Sequence, residues 1–245
     1  MSVWYLIIAN PVLNVLVALT QILGGSFGLA IIALTVIVRL ISWPLTKRQL
    51  NSTKAMQEMQ PKIQELQKKY GKNQQKLQQE MMKLYKEAGI NPLGCIWPML
   101  IQLPIWIALY QAIMSALATT PESLLGLAQR LYSWDIVNQA IPLSSQFLWL
   151  DLSQPDPYLI LAIIVGGTMW VQQKMTTAPT VDPRQQSTNR MMTLLMPLMF
   201  GFLTLMFPSG LALYWAVSNI IGIVTQYFVT GGWGYLRLRS PSQSK

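Results

Sequence analysis

The sequence predicts an all-α membrane protein with five transmembrane helices, a cytoplasmic helical hairpin and an N-terminal interfacial helix. Three observations predict it. Of 245 residues, 52% are hydrophobic and 11% charged, less than half of the ~25% charged share usual in soluble domains. The apolar residues come in blocks that approach the ~20 residues needed to cross a bilayer. Between the blocks, Lys and Arg crowd into one long polar segment and nearly vanish from another, the asymmetry that orients a chain in a membrane.

Residues 1–26 come first. Asn10, Asn14 and Gln21 share one helical face of the apolar block 3–23, which is the pattern of a helix lying in the headgroup region; a sixth span or retained anchor is the alternative. No Lys or Arg precedes Arg39 and no small-residue cleavage site follows the block, so a signal peptide is not expected. Residues 27–46 (FGLAIIALTVIVRLISWPLT) form the first span, with Arg39 the one charged residue in the interior of a long apolar run. An arginine there costs about 2.5 to 3.5 kcal/mol on insertion scales, so a polar or watered site is expected around it. At 1.5 Å per residue it lies about 11 Å from the boundary at 44–46, placed to line a cavity open to the cytoplasm. The alternative is a structural charge satisfied by carbonyls and polar neighbours.

Residues 47–90 follow as the hairpin. Met56, Met59, Ile63, Leu66 and Tyr70 recur at steps of three and four, the pattern breaks at Gly71, Lys72 and Asn73, and Leu77, Met81, Leu84 and Ala88 resume it. Two amphipathic arms joined by a turn are predicted, with Pro61 kinking or restarting the first. Ten Lys and Arg against four Glu leave this segment at +6, suited to lipid headgroups, ribosome or nascent chain.

Residues 91–232 hold the other four spans, at 93–118, 157–175, 191–207 and 211–230, with an extracytoplasmic loop at 119–156. Residues 233–245 form a cytoplasmic tail. The spans at 157–175 and 191–207 are short and contain Gly166, Gly167, Pro197 and Gly201, which favours local thinning of the bilayer over tilt and would lower the barrier to a crossing segment. Orientation follows from charge. Residues 47–90 hold ten of eighteen Lys and Arg, whereas 119–156 holds only Arg130 beside Glu122, Asp135, Asp151 and Asp156, so the hairpin and the C-terminus face the cytoplasm.

The chemistry is bounded by what is missing. The chain has no His and one Cys, Cys95, which excludes His-dependent triads, His metal sites, zinc clusters and intramolecular disulfides. No G-x-x-x-x-G-K-[ST] sequence is present, so no nucleotide site is expected. No cofactor, metal or catalytic residue is predicted, and the chain does not read as an enzyme. Gln102, Gln111, Gln173, Asn219 and Gln226 either line the polar site or bond helix to helix. Tyr214 and Trp215 are either part of that site or interfacial belt aromatics. Met191, Met192, Met196, Met199 and Met206 face lipid or fill the bundle, and Cys95 reads as a small core residue.

The run RLISWPLTKRQ, the basic segment MQPKIQELQKKY, the block NPLGCIWPMLIQLPIWIALY, then WVQQKM, DPRQQ and FPSGLALYWAVSNI together resemble the YidC/Oxa1/Alb3 family of membrane protein insertases. The resemblance runs from about Asn10 to the last span. It implies five spans around a hydrophilic groove that is closed to the outside and open to the cytoplasm and to lipid. It also implies that Arg39 is the groove arginine, that Gln173 or else Gln172 is the polar residue near the inner end of the third span, and that Trp215 is the aromatic of the last. The chain departs from well-known members in having no large extracytoplasmic domain, no N-terminal lipoprotein cysteine and a short tail, which shifts any ribosome contact to the hairpin.

The function expected is that of an insertase and chaperone of the bacterial plasma membrane. The hydrophilic tail of a client would enter a groove lined by Arg39, Gln102, Gln173, Trp215 and Asn219. Its apolar segment would slide along spans three and five into lipid, driven by hydrophobic transfer. Nascent membrane proteins and the bilayer are the expected partners, joined by ribosome and Sec translocon, with no nucleic-acid sequence recognition. Two alternatives stand beside it: a folding or assembly factor for a Sec channel, and a small transporter or channel, against which the missing inverted repeat counts.

Overall fold

The computed structural model describes residues 3–71, 73–87, 89, 96–117, 121–134, 143–177 and 183–236. Cys95, Lys72, Ala88 and the basic tail beyond 236 lie outside the described residues. The chain is helical nearly throughout. A π-helical turn (Tyr5–Ala9) leads into α1 (Asn10–Ile22), followed by α2 (Phe27–Ile41), α3 (Trp43–Glu58), α4 (Gln60–Tyr70), α5 (Gln74–Glu87), α6 (Ile96–Ala116) and α7 (Pro121–Ala128). After a two-stranded antiparallel hairpin of β1 (Gln146–Phe147) and β2 (Leu150–Asp151), the chain continues as α8 (Ile160–Thr176), α9 (Pro183–Leu203) and α10 (Ser209–Thr230).

Length and apolarity single out fewer crossings than five. Among the described residues, the helical stretch Tyr5–Ile22 and α10 are each long and apolar enough to cross a membrane, and α2 with α3 qualifies as a pair bent by 65°. The helix expected over 27–46 is therefore broken. α2 stops at Ile41, Ser42 caps it, and the chain turns into α3 before Lys47. α8 is 17 residues long, and α9 begins with the polar run PRQQSTNR before its apolar part.

The α9 helix follows membrane logic, with small and polar residues inside and large apolar ones outside. On α9, Thr193, Pro197 and Gly201 are buried, while Met191, Met192, Leu194, Leu195, Leu198, Met199 and Phe202 are exposed; just beyond it Thr204 is buried and Met206 exposed. Gly201 lets α9 approach α8 closely: a Cβ there would lie 3.2 Å from the Ala162 carbonyl oxygen and 3.6 Å from Gly166 Cα. Close backbone approach through small residues is how helices gain packing where lipid offers no hydrophobic drive.

Apolar side chains pack together at one end of the bundle. Phe27, Ile31, Ile113, Leu127, Leu150, Leu152 and Leu211 form a buried apolar layer, and the β1–β2 hairpin is held over it. The Ser209 amide donates to the Gln154 carbonyl at 2.7 Å, the Gly210 amide to the Leu152 carbonyl at 3.1 Å, and the Ser209 hydroxyl to the Asp151 carbonyl at 2.6 Å. The Phe147 ring lies where a Cβ on Gly28 would be, so this contact requires glycine in α2. Asp156 is buried and accepts from the Tyr158 and Leu161 amides at 3.1 and 2.7 Å, which fixes the start of α8.

The N-terminal helix belongs to this loop end. Trp4 Nε1 donates to Gln111 Oε1 at 2.8 Å, five residues before the end of α6. In the middle of α1, Asn14 Nδ2 donates to the Arg130 carbonyl at 3.0 Å and Asn14 Oδ1 accepts from the Tyr132 amide at 2.6 Å. Ile22 connects through Gly24 and Gly25 to α2. A stretch of 18 residues is about 27 Å long, and its first turn meets α6, its middle meets residues 130–132, and its last turn leads into α2. The polar face behaves otherwise than its pattern suggests. Asn10 and Asn14 are buried against protein, whereas Val3, Leu6, Ile7 and Ile22 are exposed, an inversion that fits an apolar surroundings.

At the opposite end, α4 and α5 form the helical hairpin. Pro61 sits in the first turn of α4, just after the break at Met59, where its missing N–H is not needed. Asn73 Oδ1 accepts from the Lys76 amide at 3.1 Å and starts α5. Ile63 and Leu77 are buried between the arms. Lys69 and Lys76 lie 5.3 and 5.4 Å from the Tyr70 ring centre. Glu80 and Lys83 pair at 2.9 Å, and this hydrogen bond holds the Glu80 carboxyl below its usual range.

Candidate functional site around Arg39

Arg39 lies in the last turn of α2, not at the centre of a span. Side chains on a helix lean toward its N-terminus, and that tilt carries the guanidinium back into the bundle. Its partner is Ser218 on α10: Arg39 Nε donates to Ser218 Oγ at 3.0 Å, and Nη2 donates to Ser218 Oγ at 2.6 Å and to the Ser218 carbonyl at 2.8 Å. Ser218 is nine residues from the start of α10, which sets the charge about 14 Å along a helix of about 32 Å. The side chain of Arg39 thus reaches the middle of α10, while its backbone lies in the last turn of α2.

The rest of the site builds outward from Ser218. Tyr214, one turn earlier on the same face of α10, interacts with Ser218 and Arg39 and accepts from Gln102 Nε2 at 2.5 Å. Three helices, α2, α6 and α10, therefore contribute one polar cluster of Arg39, Gln102, Tyr214 and Ser218. Among the described residues the one ion pair is Glu80–Lys83 in the hairpin, so no carboxylate neutralises Arg39. A charge held by neutral dipoles in a medium less polarisable than water keeps much of its field available to an incoming anion.

The other expected site residues are placed elsewhere. Trp215 is buried in an aromatic cluster, its ring 5.5 Å from Trp106, 5.6 Å from Phe200 and 5.9 Å from Phe207. Asn219 turns to α8, donating to Thr168 Oγ1 at 3.2 Å. Gln172 lies against α10, where a Cβ on Gly222 would come within 2.5 Å of its Nε2, whereas Gln173 is only half-buried on the next face. Gln226 Nε2 donates to Thr176 Oγ1 at 3.0 Å. These contacts form a seam between the parallel helices α8 and α10, separate from the arginine cluster. Ser218 was not singled out from sequence. Its spacing of four from Tyr214 on one helical face was the available signal.

The sequence pattern of a known family covers residues 18–233, and its description is 60Kd inner membrane protein. The chain belongs to that family. Curated relatives agree. A protein named membrane protein insertase YidC from Actinobacillus succinogenes is 41% identical over 229 residues, covering 94% of this chain and 38% of the relative. Proteins of the same name from Vibrio cholerae and Nitratidesulfovibrio vulgaris are 41% and 37% identical, over 92% of this chain and 37% and 38% of their own lengths. The chain thus spans somewhat over a third of the length of the relatives it matches.

Proposed function

We propose that this chain is a multi-pass membrane protein insertase and chaperone that moves hydrophilic tails of client proteins past Arg39 and releases their apolar segments into lipid. The observation that carries this reading is Arg39 itself, a guanidinium bound by Ser218 with Tyr214 and Gln102 beside it and no acidic partner among the described residues. The names of the relatives support it. In this reading the loop end faces outside, and the hairpin and C-terminus face the cytoplasm. α2, α6, α8, α9 and α10 are the five spans, and the stretch Tyr5–Ile22 lies in the outer interface.

A client tail enters from the hairpin end, where basic residues draw anionic surfaces. An acidic group on the tail replaces part of its water by the Arg39 guanidinium, which lowers the cost of bringing it to mid-depth. The apolar segment then leaves water for lipid at about 0.8 kcal/mol per CH2 buried, so no nucleotide is required. The short apolar parts of α8 and α9 thin the bilayer beside the route. The test is reconstitution of the purified chain alone into liposomes, followed by a client and protease. Protected client fragments are the expected result. Solute flux without protection would make the chain a channel, and neither signal would make it a factor that acts only with a translocon.

A further inference from the structure

The loop end carries a second basic group that insertion does not use. Arg130 is the one Lys or Arg in residues 119–156, on the side where positive residues are disfavoured. Its guanidinium carbon stacks 4.7 Å from the centre of the Tyr5 ring, and its Nη1 donates to Ser115 Oγ at 3.2 Å. Its backbone is clamped as well, because Asn14 bonds the carbonyl of Arg130 and the amide of Tyr132. The chain thus holds this cation with groups from the N-terminal turn, α1 and α6. Among the described residues no carboxylate meets it, and the side chain is only partly buried.

The surroundings identify the partner. Next to Tyr5, the apolar side chains Val3, Leu6 and Ile7 are exposed, Trp4 is bonded to Gln111, and Tyr132 packs edge-on to the exposed Trp134 at 5.1 Å. Aromatic residues flanking an exposed apolar strip mark the depth of the headgroups. A guanidinium fixed at that depth with donors to spare matches a phosphate oxygen pair. We propose that Arg130, Tyr5 and Ser115 form a binding site for the phosphodiester of one phospholipid, whose acyl chains cover Val3, Leu6 and Ile7. The bound lipid fixes the N-terminal helix to the bilayer and compensates the lone cation of this end. This site rests on the proposed placement of the loop end at the outer interface.

Native mass spectrometry of the full chain in detergent, titrated with dioleoylphosphatidylglycerol, tests the assignment. The wild type should retain one lipid, and Arg130→Gln should weaken that binding roughly tenfold, the loss of a charge-assisted contact. Tyr5→Leu, which keeps the charge and removes its platform, should weaken it about two- to fivefold. Arg190→Gln, on the exposed start of α9, should bind as the wild type. Equal retention by Arg130→Gln and wild type would overturn the site. Displacement of the lipid by inorganic phosphate at matching concentration would overturn the lipid assignment in favour of a free anion. Helical content by circular dichroism separates lost binding from lost fold, since Tyr5→Leu must weaken binding in a folded chain. The measurement needs no bilayer orientation, so a wrong topology, read independently by labelling at Ser144, would leave its outcome unchanged.

Discussion

Replacing Arg39 by Ala removes the charge on which insertion is proposed to depend, and the structure sets the size of the effect. At about 4 Å and an effective dielectric of about 20, a carboxylate and a guanidinium attract by about 4 kcal/mol. Exchange for water and competition from Ser218 reduce what a client can use to about 1 to 2 kcal/mol, or about 5- to 30-fold in rate. Arg39→Ala should therefore slow insertion of a client with an acidic tail by about that factor and leave a matched neutral tail nearly unaffected. Arg39→Lys cannot make both the Nε and Nη2 contacts to Ser218 but keeps the charge, so it should retain most activity. Protease protection with two clients that differ only in tail acidity is the assay. Equal losses for both tails, together with a lower melting temperature of Arg39→Ala, would refute the reasoning and assign the guanidinium to holding α2 against α10.

The remaining predictions concern topology, packing and the hairpin. In a Cys95→Ser background, single cysteines at Gln75 and Ser144, both exposed, should label from opposite sides of the membrane; labelling of both from one side would contradict the five-span arrangement. Gly201→Val should cost about 1 to 3 kcal/mol and lower the melting temperature by several degrees, because its Cβ meets the Ala162 carbonyl oxygen at 3.2 Å. Gly167→Ala, with nothing within 4 Å, should be neutral or raise it by about 1 to 3 degrees; the reverse order of the two would show that α8 and α9 do not pack as described. Bridging residues 58 and 88 with a short Gly/Ser linker, which deletes α4 and α5, should leave the melting temperature of the membrane part within a few degrees and slow client capture. Unchanged rates across several clients would reduce the hairpin to a tether.

The fold was legible where periodicity and charge act locally. The two helices α4 and α5 came from spacing, and the break just before Pro61 from its missing N–H, because both act within one helix. Arg39 stood out as an uncompensated charge in an apolar run, a cost any fold of this chain must meet. What answers that cost is a serine 179 residues away, and nothing in the local sequence marks it. The same holds for Asn10 and Asn14. Their shared face was evident, but whether it meets water or protein depends on where residues 130–132 return across the end of the bundle. Trp215 and Asn219 lie within four residues of Ser218, yet one joins an aromatic cluster and the other bonds α8, because consecutive residues of a helix point about 100° apart and each meets a different neighbour. Composition, spacing and charge therefore determined the class and most helices, and singled out Arg39. The partners of that residue were decided only by tertiary packing, since they are contacts between faces of helices whose relative rotation no local pattern encodes.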